Sequence, residues 1–133
     1  MGRKYETINE GPYLRIKALR DFANVKKGDI GGLIEKEGNL SHDGNCWIYD
    51  DAIVSENARV YGNARVSENA RVFGYAHVYG NAHVSGNARV LDDARVSENA
   101  RVYGNARVFG YAHVYGNANV YGNARVLSDV FAN

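Results

Sequence analysis

Four histidines, a single cysteine and a regular series of arginines are the side chains of this sequence that could do chemistry. A histidine titrates close to neutral pH and can serve as a general base. His77, His83 and His113, however, occupy positions that equivalent six-residue units fill with arginine, so they read as variation within a repeat. His42 lies outside that pattern and reads as structural. Zinc requires ligands converging at bond lengths near ~2.1 Å. His77 and His113 are two turns of the repeat apart, about 9.6 Å at ordinary strand spacing, too far to share one metal, so no metal site is expected. Cys46 stands alone, which excludes an intrachain disulfide. Arg71, Arg89, Arg107 and Arg125, with His77 and His113, are the candidate contacts for an anionic ligand, because a guanidinium is permanently charged and forked to match an oxyanion. The glycines open no helix and form no phosphate loop, and Thr7 is the sole threonine, too few for an ice-binding array. No cofactor is expected.

What positions these residues is a repeat. The chain has 133 residues, 45% apolar and 23% charged, with a net charge of +1. Length and composition suit one folded domain, and the charge excludes an acidic nucleic-acid mimic or a basic packaging protein. The apolar share is mostly Ala and Val, so the core must be thin and regular. Ala recurs every sixth residue from Ala52 to Ala124, and Val from Val54 to Val126, without exception. Such a fixed period marks a solenoid and fits neither a helical stripe nor a long alternating strand. In Arg59-Val60-Tyr61 alternation turns Val60 inward and its neighbours outward. Gly62-Asn63 supply a corner, and Ala64 fits inside the bend. Three such sides close a triangular coil of 18 residues, and the array from Cys46 to Asp129 is expected to be roughly 22 Å long. Residues 58–93 and 94–129 are also near copies, differing at seven positions, which suggests that two coils were duplicated.

Read from its Val, the unit Val60-Tyr-Gly-Asn-Ala64-Arg resembles the hexapeptide-repeat superfamily. That resemblance implies an all-β, single-stranded, left-handed parallel β-helix; the handedness comes from the resemblance alone. It is weak for function, because the superfamily contains enzymes and non-enzymes. Its acyltransferases use a histidine base on a loop or subunit boundary and bind acyl-CoA between solenoids. Here the array runs from 46 to 129 without an inserted residue, leaving no loop to build a pocket. Asp29-Ile-Gly-Gly-Leu-Ile-Glu35, Asn39-Leu-Ser41 and Cys46-Trp-Ile-Tyr-Asp-Asp-Ala52 also look like the start of an uncharacterised group of bacterial and phage repeat proteins.

Residues 1–45 read as a small N-terminal β cap, 46–129 as the solenoid and 130–133 as a tail. Tyr5–Ile8 and Tyr13–Leu19 are strand candidates joined by a turn at Asn9–Pro12. Extending the hexad register backward puts Ile34 and Leu40 in the Ala slot and Lys36 and His42 in the Val slot. Neither polar residue suits a Val/Ala core, so the repeat is expected to fade there. The final coil, 112–129, is expected to pair with another subunit through Val130 and Phe131, since solenoid ends are normally covered.

One outward face carries the four candidate arginines beside Phe73, Leu91, Phe109 and Leu127, with Tyr75 and Tyr111 at the adjacent corner. These apolar residues, with Val130 and Phe131, are the candidate interface; the alternative is an aromatic ladder that supports its own sheet. The eight arginines of the array meet eight acids, so nonspecific nucleic-acid binding is not expected. The N-terminus has no hydrophobic run after its charges, and a cytoplasmic, bacterial or phage-encoded protein is expected. These features together describe a non-catalytic, self-associating scaffold that binds a second copy, another protein or a small anionic ligand. A minimal oligomeric acyltransferase and a structural filament are the alternatives.

Overall fold

A computed structural model describes residues 3–133. The hexads fold as the alternation rule requires. Each Val and the Ala two places before it point inward, and from Ala52 to Val114 every one of them is at most 1% exposed. Two-residue strands such as Arg59–Val60 and Arg89–Val90 are all the straight backbone each side contains. They stack in parallel and in register, Arg71 on Arg89 on Arg107 on Arg125 and Val72 on Val90 on Val108 on Val126. Three sheets result. The first runs from Ile30–Ile34 through Ile53–Val54 to Arg125–Val126, the second from Arg59–Val60 to Val130–Ala132, and the third from Trp47–Ile48 to Asn119–Val120.

Between sides, the chain turns through a residue with φ near +60°. Gly fills that place at Gly62, Gly74 and Gly80, but Asp50, Glu56, Glu68, Asp92 and Glu98 also adopt it. A left-handed conformation costs a residue with a Cβ roughly 1–2 kcal/mol. The acidic side chains offset that cost locally. Glu56 accepts the Gly74 N–H at 2.8 Å, Glu68 that of Gly86 at 2.6 Å, Asp92 that of Gly110 at 3.0 Å and Glu98 that of Gly116 at 3.0 Å. Asp50 does the same for Glu68, and Glu35 for Glu56. Hydrogen bonds to charged groups are worth about 1.5–3 kcal/mol, enough to hold an acid where glycine would be unstrained.

The cap contains the expected strands, β1 (Tyr5–Glu10) and β2 (Tyr13–Ala18), paired antiparallel. β2 then pairs antiparallel with β3 (Ile30–Ile34). The register expected for this region is displaced. Ile34 partners Val54 and Leu40 partners Val60, so both occupy the Val slot and not the Ala slot. The difference is a two-residue excess between Leu40 and Ile48. Partners before it lie 20 residues apart, whereas Ile48 and Val66 lie 18 apart. Coil-type parallel pairing therefore begins at Leu33, well before residue 46. Gly32 falls two places before Ile34, where the repeat has Ala, and a Cβ there would lie 2.7 Å from the Ala52 carbonyl oxygen. Lys36 is exposed and His42 half-buried, so neither enters the core.

The 130–133 tail also joins the solenoid. Val130, Phe131 and Ala132 pair in parallel with Val114, Tyr115 and Gly116. A two-residue deficit after Val126 brings Val130 into the Val slot early. Phe131 then lies over Tyr115, ring centroids 4.9 Å apart.

Candidate functional site

The first sheet gathers the candidate residues as the repeat demands. Arg71, Arg89, Arg107 and Arg125 form one exposed column. Across the strand, Phe73, Leu91 and Phe109 are half-buried, while Leu127 is exposed. Arg89, Arg107, Arg125, Phe73, Leu91 and Phe109 line a shallow groove of about 270 Å³. Tyr75 and Tyr111 project from the corner beside it, 63% and 84% exposed. On the outer flank of the arginines, Asn87, Asn105 and Asn123 form an amide ladder with contacts of 3.3 and 3.4 Å.

The equal count of acids and arginines in the array suggested that the columns are locally neutralised; the geometry differs. Among the described residues, none of the eight array arginines has an ion-pair or side-chain hydrogen-bond partner, and every such ion pair lies in the cap or at its junction. Six of the eight acids (Asp50, Glu56, Glu68, Asp92, Glu98 and Asp129) are committed to backbone N–H groups. Asp51 pairs with Arg15. A carboxylate bent back over the next corner cannot reach an arginine in mid-strand. Four arginines thus stand in one column on strands about 4.8 Å apart. Like charges directly opposed across strands repel.

The second sheet carries His77 and His113 in one column, separated by Arg95. Tyr61 and Tyr79 stack in parallel at 5.0 Å, and the Tyr61 hydroxyl is 3.3 Å from His77 Nδ1. Ser97 interrupts the tyrosine column, and His113 folds into the gap with Nε2 2.8 Å from the Ser97 hydroxyl. This Ser–His pair was not anticipated; the signal was a serine flanked by Tyr79 and Tyr115 at 18-residue spacing. Ser97 is 2% exposed, so its oxygen is shielded from a substrate. Asp129 accepts the backbone N–H of His113 and does not orient its ring. The pair has the spacing of a nucleophile and its base, but the serine oxygen is buried and Asp129 is not placed to orient the ring.

A cleft of about 470 Å³ opens where the cap overhangs this sheet, between Glu37, Leu40, Ser41 and His42 on one side and Arg59, Tyr61 and His77 on the other. His42 Nδ1 accepts the Lys4 backbone N–H at 3.1 Å, and Nε2 lies 3.0 Å from Glu37. With one nitrogen accepting and the other donating, no lone pair remains for proton abstraction, and the ring stacks on Tyr5 at 4.0 Å. The structural reading of His42 follows from these contacts. Hydrogen bonds from His42, then from Arg3, hold Glu37 below the usual carboxylate range. Among the described residues no three His, Cys, Asp or Glu side chains converge as a metal would need.

Lys4 is the buried lysine that the sequence did not announce. Its Nζ donates to the Cys46 carbonyl at 2.7 Å, lies 3.3 Å from Cys46 Sγ and sits over the Phe22 ring. Burial pushes the Lys4 ammonium down and the Cys46 thiol up. The lysine satisfies a carbonyl at the irregular loop, which is the work of a plug.

The sequence profile of the YdcK beta solenoid repeat matches residues 58–80, 82–98 and 100–116. This chain is a hexapeptide-repeat β-solenoid. Within that class it is similar to the uncharacterised acetyltransferase YdcK of Escherichia coli (strain K12), 44% identical over 41 residues. The match covers 31% of this chain and 13% of that relative, so the solenoid shares one short stretch with a much longer protein. No helix among the described residues is long and apolar enough to cross a membrane.

Partial burial first, and then flanking arginines, hold His77 and His83 below the ordinary histidine range. The unfolded chain therefore takes up protons near pH 6.5 before the folded one does. Stability is full above that pH and falls as pH drops toward the folded values. Substituting residues found in the same columns, His77→Arg and His83→Asn, should flatten the decline. Melting temperatures of the wild type and the double variant between about pH 5 and 7.5 test this; equal declines would remove the histidines as its cause.

Proposed function

We propose that this solenoid is a non-catalytic binding scaffold whose arginine column receives an acidic partner. The observation that supports it is the segregation of charge. The corner acids are spent on the neighbouring coil's backbone, and four guanidinium groups are left in register without partners. The sheet fixes the register of the four arginines, and each unpartnered guanidinium offers its fork of donors to an oxyanion. Two copies meeting by a twofold axis on this face would oppose arginine to arginine, so an acidic partner fits it better than a second copy. Self-association through Phe73, Leu91, Phe109 and Leu127 would then require a bridging anion, which light scattering with and without a polyanion distinguishes.

The test is retention on immobilised dextran sulfate at low salt. Wild type should be retained, and Arg89→Gln/Arg107→Gln should elute markedly earlier at a melting temperature no lower than that of the wild type, since the substitutions relieve repulsion between stacked cations. Equal elution of the two would overturn the reading.

The similarity to the uncharacterised acetyltransferase of Escherichia coli supports a second reading, a small acetyltransferase. His77 is the base it would use, since it lines the cleft under the cap and partial burial holds its imidazole below the ordinary histidine range. Acetyl-CoA at 100 times its dissociation constant would stabilise the fold by ~2.7 kcal/mol, a readily measured rise in melting temperature. No rise, and no acetyl-CoA turnover lost on His77→Arg, would dismiss it.

A further inference from the structure

Three parallel columns run along the first face, and each offers a different chemistry at the same spacing. Asn87, Asn105 and Asn123 present amides; Arg89, Arg107 and Arg125 present cations; and Phe73, Leu91 and Phe109 present an apolar strip. A matching ligand must repeat hydroxyls or similar polar groups, anions and an apolar face once per rung. We infer that the ligand of this face is a linear 1,4-linked polyuronate lying along the solenoid axis. The inference rests on the anion-binding reading above and names the class of anion.

Spacing and shape select among polyanions. Rungs repeat at about 4.8 Å. An extended acidic peptide places same-side carboxylates two residues apart, roughly 6.7 Å at ~3.3–3.4 Å per residue, and falls out of step after one rung. Each strand of duplex DNA advances ~3.4 Å per phosphate, again out of step with the rungs. A 1,4-linked pyranose chain advances by one ring and its linking oxygen per sugar, a length close to the rung spacing of about 4.8 Å, so its carboxylates recur near every rung or every second rung, whichever edge they take. Each uronate unit carries a carboxylate for a guanidinium fork, hydroxyls for an asparagine amide and a C–H face for a phenylalanine or leucine. The groove runs past three successive arginine rungs, Arg89, Arg107 and Arg125.

Isothermal titration of the full chain with oligomannuronates of two, four and six sugars tests the inference. Affinity should rise at least tenfold from two sugars to four and level off by six. It should fall at least tenfold in Arg89→Gln/Arg107→Gln and in Phe109→Ser, with melting temperatures reported alongside. Neutral mannotetraose and the methyl-esterified tetrauronate should not bind. Tighter binding of oligothymidylate or polyglutamate than of the tetrauronate would overturn the inference, as would retention on dextran sulfate with no uronate binding. In those cases the anion-binding reading stands; if dextran sulfate retention is also absent, that reading fails with it.

Discussion

Ala94→Leu should break the solenoid into two unequal parts. Ala94 is fully buried at a corner, between the equivalent residues Ala76 and Ala112 of the coils on either side. Those neighbours cannot withdraw. His77 N–H donates to the Ala94 carbonyl at 3.0 Å, and Arg95 N–H donates to the Ala112 carbonyl at 2.9 Å. Larger side chains in a packed core cost about 1–3 kcal/mol where the surroundings can shift, and here the pinned backbone puts the cost at or above the top of that range. Repeat stability passes between nearest neighbours, so a damaged middle coil uncouples what lies on each side. The urea transition monitored by circular dichroism should move to lower concentration and lose slope, as partial unfolding lowers the surface exposed per step. Leu91→Ala, outward and only half-buried, should shift the midpoint far less and keep the slope. A variant Ala94→Leu with the wild-type midpoint and slope would mean that the corner has room the coil geometry denies it.

Where the sequence could be read and where it could not follows from the range of the determining contact. Val and Ala point inward because of alternation within three residues, and every such position from Ala52 to Val120 is buried, with Ala124 in the last coil partly so. The columns of Arg71 to Arg125 and of His77 with His113 follow from counting 18 residues, which holds while nothing is inserted. Counting failed at the two places where the count changes, between Leu40 and Ile48 and after Val126. There the coil keeps its inward residue and lets the connection absorb the difference, a tertiary preference with no local signature.

The carboxylates were legible in principle. Glu56, Glu68, Asp92 and Glu98 each have a glycine 18 residues later, at positions 74, 86, 110 and 116. That pairing is a vertical one, invisible to a count of charges along the chain. It decides whether the arginine columns are neutral or open, and with it which partner the first face can take.

Trp47→Ala should cost about 3–5 kcal/mol, the range for truncating a large buried aromatic, and the loss should fall on the cap. Trp47 occupies the outward slot that Arg65 fills in the next coil, its direct partner in the parallel sheet. On a bare solenoid that position faces water, yet Trp47 is 1% exposed. The loop after β2 covers it, with Phe22 edge-on at 5.2 Å and Tyr5 at 6.2 Å, while the next outward residue, Tyr49, donates its hydroxyl to Asn24 at 2.9 Å. The indole therefore fastens the cap to the side of the third sheet. Lys4 and Tyr5, the latter donating to the Leu40 carbonyl at 2.7 Å, close the end. Removing the ring frees the loop without touching any inward Val or Ala. Hydrogen exchange should then show lost protection in β1, β2 and the Phe22–Val25 bridge, with coils beyond Val66 retaining theirs. Trp47→Phe should recover most of the midpoint, because an aromatic ring can still meet Phe22. Uniform loss of protection along the whole solenoid in Trp47→Ala would mean that cap and coils unfold as one unit, and that the first coils depend on the cap for more than cover.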